Sequence, residues 1–213
     1  MIALLELQFL PPVQYFAKLT GYPHVVLEQM EHYQKRSYRN RCHIAAAQGI
    51  QRLSIPLQKG KNRKMPVREV RIAYDQPWQK QMEHAIRSAY RSAPFFEEYA
   101  PPLLETIRQH HEFLFNLNLK LLTQVADFLE IAPNWTFTED YSTEAPTGRT
   151  DLRNKIHPVD PAADPAFLPV PYNQVFEDRH GFSPNLSIID LLFCMGPEAP
   201  GILKASHAAF GGV

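Results

Sequence analysis

The opening of the chain constrains the fold most. Residues 2–9 are mostly apolar and stop at Pro11-Pro12. Proline has no backbone N–H to give to a ladder, so a strand ends there. Val13, Phe16, Ala17 and Thr20 then recur at helical spacing from Val13 to Leu19, and Gly21 and Pro23 close that helix. His24-Val-Val-Leu-Glu28 has the β-branched, apolar content of a second buried strand. A strand, a helix and a strand in so short a stretch make a compact α/β unit, which favours parallel pairing of the two strands.

The rest of the chain divides by period. Residues 41–47 and 51–57 read as strands joined around Gln48-Gly49 as a hairpin, followed by a basic loop over 58–66 with Gly60 and Asn62. Val67 to Tyr74 is read as a strand on its Val and Ile content. Asp75 as N-cap and Pro77 as first residue predict a helix to about Tyr90. A short helix over Phe95–Tyr99 is expected to stop at Pro101-Pro102. One long helical region follows from Leu103 to Leu129, with Leu104, Ile107, His111, Leu114 and Leu121 on one face. Trp135 to Phe137 suggests a short strand. Residues 139–172 are rich in Pro, Asp, Thr and Gly and predict a long irregular segment. Asn185 or Ser187 caps a helix over Ile188–Met195 that Gly196 ends. The expected fold class is α/β, with a mixed α+β arrangement as the alternative. The strand–helix–strand unit and the hairpin contribute to one mixed sheet, and a mainly helical C-terminal half follows. Residues 1–200 are expected to form one domain and 201–213 a frayed tail.

Several classes fall away. Cys42 and Cys194 lie far apart and outside any Cys-x-x-Cys pair, which points to two reduced thiols. The first residues carry Glu6 and lack a basic start, unlike a signal peptide. No apolar run reaches the ~20 residues of a membrane span, and a cytoplasmic protein is expected. No Gly-x-Gly-x-x-Gly, Walker loop or Gly-x-Ser-x-Gly elbow is present, and neither a cofactor nor a metal is expected. His110-His111 do not make a metal pair, because adjacent helical residues point about 100° apart.

Charge is balanced overall, with 22 basic and 22 acidic residues, but not along the chain. From Lys35 to Arg71 there are eleven Lys/Arg and one acid, Glu69. The run Tyr33-Gln-Lys-Arg-Ser-Tyr-Arg-Asn-Arg41 alternates aromatic and basic groups. Guanidinium forks grip phosphate or carboxylate, and tyrosines stack on a base or sugar. Lys35, Arg36, Tyr38, Arg39, Asn40 and Arg41 are therefore candidate binding residues, with a structural salt-bridge network as the other reading. Trp78, Lys80 and His84 lie on one helix. Lys80 and His84 share a face and could supply a cation and a proton shuttle, or be structural. Asp190 sits in the apolar run Leu186-Ser-Ile-Ile-Asp-Leu-Leu-Phe193 and needs a partner; the basic run is the obvious source. It is either a buried lock or a catalytic carboxylate.

The run 33–41, Leu53-Ser-Ile-Pro56, the Trp78-x5-His84-x-Ile-x2-Ala-Tyr-x-Ser-x-Pro-Phe-Phe96 pattern and Leu186–Phe193 with Gly196 resemble the WbqC-like proteins, in the same order along the chain. Family members open with a strand followed by His-Gln-Pro; here Gln8 is kept and Leu7 stands at the histidine. The resemblance implies a role in O-antigen-type surface-polysaccharide precursor synthesis. It suggests a transferase, moving an amino-acid or acyl group onto a sugar, with an anionic nucleotide-sugar as the small-molecule partner. Gln8, the run 35–41 and Trp78 would bind substrate, with His84, Asp190 and Lys80 as catalytic candidates. The alternatives are a nucleotide- or nucleic-acid-binding module, which the neutral net charge disfavours, and a non-catalytic scaffold of a biosynthetic complex.

Overall fold

The computed structural model describes residues 2–59, 65–131, 134–144, 147–159 and 164–207. Strand β1 (Ile2–Glu6), helix α1 (Val13–Gly21) and strand β2 (His24–Glu28) form the opening unit, and the strands pair in parallel from Ile2 opposite His24 to Glu6 opposite Glu28. Both strands are buried along nearly their whole length, as parallel strands are. The hairpin β3 (Arg41–Ala46) and β4 (Gly49–Ser54) comes next. Gly49 has φ +106°, a conformation that favours glycine at the turn. Much later, β5 (Asn134–Phe137) adds to β2 and β6 (Arg149–Asp151) adds to β1, giving the all-parallel order β5-β2-β1-β6.

The hairpin therefore does not complete a mixed sheet with the opening strands; it forms a two-stranded sheet of its own. A 3-10 turn at Tyr38–Asn40 turns the chain away from β2, and the buried side chains of Cys42, Ile44 and Leu53 belong to the hydrophobic core. Ser187 donates its N–H to the His43 carbonyl, which ties β3 to the start of the helix α6 (Ile188–Met195).

Residues 67–74 are not a strand but a 3-10 turn (Val67–Glu69) followed by isolated bridges. Their backbone is shared among separate neighbours: Val67 N–H goes to Glu31 O, Ile72 N–H to Glu112 O, and Leu114 N–H to Val70 O. The same bonds explain why the long helical stretch is two helices, α3 (Phe96–Arg108) and α4 (Leu114–Phe128). Residues 109–113 leave the helix to pair with 70–72. The Tyr74 hydroxyl secures them by accepting from His111 N–H and donating to His111 O.

Helix α2 (Trp78–Tyr90) begins as expected near Pro77, but no side chain caps it, Asp75 included. Helix α3 runs straight through Pro101 and Pro102. Its buried stripe of Phe96, Ala100, Leu103, Leu104 and Ile107 outweighs two missing N–H donors, and the carbonyls they would have served belong to exposed Glu97 and Glu98. A short α5 (Glu177–His180) precedes α6, which ends at Gly196, φ +48°, where any Cβ would sit 2.5 Å from the Phe95 ring. The expected frayed end is helical instead: α7 (Ala199–Ala205) buries Ala199 and Leu203 and packs on α1. Residues 208–213, and most of the basic loop at 60–64, lie outside the described residues. No helix among the described residues is long and apolar enough to cross a membrane.

Candidate functional site

Parallel strands point their carboxyl ends one way, so whatever follows each strand gathers on one edge. In this sheet the chain steps outward from β1 to β2 to β5 and then returns to the far side of β1 for β6. Such a reversal opens a crevice at the carboxyl ends, where ligands of open α/β sheets bind.

That edge is built from charge. The last residues of β1 and β2, Glu6 and Glu28, face each other in register, each 1% exposed. The Glu6 carboxylate accepts from the Gln8 side-chain amide (2.7 Å) and from Asn154 N–H (2.9 Å). Glu31, beyond β2, receives two bonds from Arg39, Nε at 2.6 Å and Nη2 at 2.5 Å. Arg39 Nη2 also reaches Asn154 Oδ1 at 2.9 Å. Glu28 accepts from Arg153 Nη1, Thr138 Oγ1 and Met30 N–H. Arg153 also forks onto Asp151.

Three carboxylates, Glu28, Glu31 and Asp151, thus share two guanidinium groups, and Glu6 lies close enough to act on Arg39 through its charge. Burial pushes the Glu31 carboxyl up, and Arg39 pulls it back less strongly. For Arg39, burial disfavours the charged form, yet Glu6 and Glu31 outweigh it and hold the group above its usual range. Asp151 is held below the usual carboxylate range, chiefly by Arg153. Gln8 Oε1 and Arg39 Nη1 are buried and find no partner among the described residues. Beside the network lies a cleft of ≈ 430 Å³, lined by Glu28, Thr138 and Arg153 at its base and by Phe137, Glu139 and Arg149 among others.

Of the residues expected from sequence, Gln8 and Arg39 meet in this network. Arg39 is fully buried, so its guanidinium is spent on Glu31 and Asn154 rather than presented to solvent. Asn40 is also internal, accepting from the Tyr33 hydroxyl and donating to Ile55 O. Tyr38 is buried with its ring against His43, and burial pushes its hydroxyl up to about 12. Lys35 and Arg36 are exposed, and Arg41 is partly buried beside Arg36 and Arg52. Trp78 is a core residue near Tyr74.

Lys80 and His84 are exposed on α2, with no hydrogen bond or ion pair to any other candidate. The partner of Asp190 is not the basic run. Fully buried, it accepts from Tyr90 OH (2.8 Å), Tyr172 OH (2.7 Å) and Gln174 Nε2 (2.8 Å). Burial raises its pKa and the three donors lower it by less. Because Tyr90 OH also accepts from Ala45 N–H, Asp190 clamps α6, α2 and β3 together.

Glu6, Glu28, Glu31, Asp151, Arg153 and Asn154 escaped the sequence reading. One signal was available: both opening strands end on the same pattern, Leu-Leu-Glu6 and Val-Leu-Glu28, a charge closing a buried strand. Nothing local marks Arg153 or Asn154.

The model of the WbqC-like protein family matches residues 8–156. This chain belongs to the WbqC-like family. The WbqC-like segment opens on Gln8 and closes on Ile156, and the Gln8 amide donates to the Ile156 carbonyl at 3.1 Å. It carries Glu28, Glu31, Arg39, Asp151, Arg153 and Asn154, whereas Asp190 lies beyond it. The chain is also similar to the uncharacterized protein Rv1507c of Mycobacterium tuberculosis, at 26% identity over 95% of this chain and 97% of that one. No solved structure matches it. Leu7, where the resemblance led to the expectation of a histidine, is buried in the core at 1% exposure.

Proposed function

We propose that this WbqC-like protein is a transferase acting on a nucleotide-sugar in the assembly of a surface polysaccharide, with the sugar held at the carboxyl edge of the parallel sheet. The observation that carries this is the polar cleft. Its ≈ 430 Å³ lies within the range of small-molecule sites, and its lining joins the carboxyl ends of β2 and β5 to Leu4 of β1 and Arg149 of β6, the strand added when the order reverses. Phe137, 40% exposed, offers an apolar plate for one face of a sugar ring. Glu28, Glu139 and Arg149 surround it with hydrogen-bonding groups suited to hydroxyls. Glu28, held by Arg153, is the carboxylate positioned to take a proton from an attacking hydroxyl or amine.

Melting curves across a panel of nucleotide-sugars and free nucleotides test this. A ligand at a hundredfold excess over its Kd should add ~2.7 kcal/mol of stability. Phe137→Ala and Arg149→Ala should both reduce that shift, and Arg149→Ala, which breaks no ion pair among the described residues, should do so without lowering the melting point of the free protein. A flat response across the whole panel would sink the proposal.

A further inference from the structure

The solvent-facing side of the hairpin collects positive charge that nothing else in the described protein answers. Arg41 and His43 are two residues apart and so share one face of β3. The register sets Arg52 opposite His43 and Ser54 opposite Arg41. Arg36 lies close enough to Arg41 for the two charges to repel. Among the described residues no carboxylate pairs with Arg36, Arg41 or Arg52. Arg41 Nε is buried with no acceptor. Burial first, then Arg52 and Arg36, hold the Arg41 guanidinium below its usual range, opposed by Tyr33. Burial, Arg41 and Arg52 do the same to His43.

The backbone adds a second observation. Arg36 has φ +63°, the left-handed region that a long side chain enters only at a cost, and such strain concentrates at ligand sites. Three like charges are kept together, one of them on a strained backbone and one with a buried, unused donor. An anion removes the repulsion and satisfies the unused donor at once. Arginine forks match phosphate oxygens, and three of them match the charge of a diphosphate better than that of a carboxylate. Next to Arg52, a hollow of ≈ 620 Å³ between the hairpin turn and α2 has no carboxylate in its lining and leaves room for a group attached to the phosphates.

We propose that this hairpin face is a diphosphate-binding site in which Arg41 and Arg52 grip the phosphate oxygens, Arg36 closes over them, and His43 and Ser54 complete the donors. It rests on the nucleotide-sugar class proposed above, and it places the phosphates on the hairpin rather than on Arg39 and Asn40.

Calorimetric titration of the full chain at low salt, with inorganic pyrophosphate and with a nucleotide-sugar, tests it. Arg41→Gln and Arg52→Gln should each weaken pyrophosphate binding at least tenfold. Arg91→Gln, an exposed cation outside the cluster, should leave it unchanged. Should Arg41→Gln fail to fold, Arg52→Gln, on the exposed strand β4, carries the test alone. Equal affinity in wild type and Arg52→Gln, or an equal loss in Arg91→Gln, overturns the site. Pyrophosphate binding lost in Arg52→Gln, with no nucleotide-sugar bound, keeps the hairpin site and removes the proposed function. Nucleotide-sugar binding untouched by Arg41→Gln and Arg52→Gln removes the hairpin site and leaves the cleft standing.

Discussion

Glu31 and Arg39 exchange two hydrogen bonds where almost no water reaches, so neither can be removed alone without leaving its partner charged and buried. Glu31→Gln should cost about 3–5 kcal/mol in urea unfolding, the usual result of breaking a buried pair. The double variant Glu31→Leu with Arg39→Met should cost clearly less than the two single losses added together. Additive losses would show that the pair is not coupled. Arg39 looked like a ligand grip because a sequence displays charge but not who neutralises it. Its partner lies eight residues away, and Asn154, the other contact, is far downstream. Asp190 was legible as a buried acid needing partners, while their identity was not, since two tyrosines and a glutamine come from two separate segments, Tyr90 on α2 and Tyr172 with Gln174. Its raised pKa means that the fold prefers the neutral carboxyl. Its stabilising contribution is therefore full below the ordinary carboxylate range and lost as pH rises through the folded value. Unfolding free energies of wild type and Asp190→Asn at about pH 4 and about pH 7 should show wild type losing ground to the variant at the higher pH. A constant difference would contradict that sign.

Elements were read well where the local pattern and the tertiary fold agree. β1, α1, β2, the hairpin, α2 and α6 all appear, since each carries its own apolar stripe and its own stop signal. The misreadings have one cause, long-range contacts overriding local preference. Pro101-Pro102 should end a helix, but the buried stripe of α3 continues beyond them. The face of Leu104, Ile107 and Leu114 should continue one helix, but residues 70–72 capture 112–114. β6 is the polar triplet Arg-Thr-Asp and has no strand signature; β1 recruits it by pairing. If burial alone carries α3 past its prolines, Pro101→Ala should restore an N–H donor and stabilise the protein by about 1 kcal/mol, net of the entropy that proline removes from the unfolded chain. A loss of stability in chemical denaturation would mean that the ring itself packs productively there.

At the scale of the molecule, a net charge of zero conceals two poles. Carboxylates outnumber guanidinium groups at the sheet's carboxyl edge, and unpaired arginines face solvent on the hairpin. Tyr33 lies between them, close enough to feel both Arg39 and Arg41. The sequence showed the basic pole as a run of charge. It hid the acidic pole, whose members are scattered from Glu6 to Arg153 and meet only because four strands are parallel. The C-terminal end was also misread, because α7 draws its stability from α1 rather than from its own sequence. Leu203→Ala should cost about 2–4 kcal/mol, as for other buried leucines, whereas a frayed end would tolerate it. The proposed place of substrate is the carboxyl edge of the sheet. Titration of a nucleotide-sugar into wild type, Phe137→Ala, Arg149→Ala and His84→Ala, read by calorimetry, tests it most directly. Binding should fall at least tenfold in the two cleft variants and stay unchanged in His84→Ala. Binding that survives both cleft variants, or disappears with His84, would contradict it.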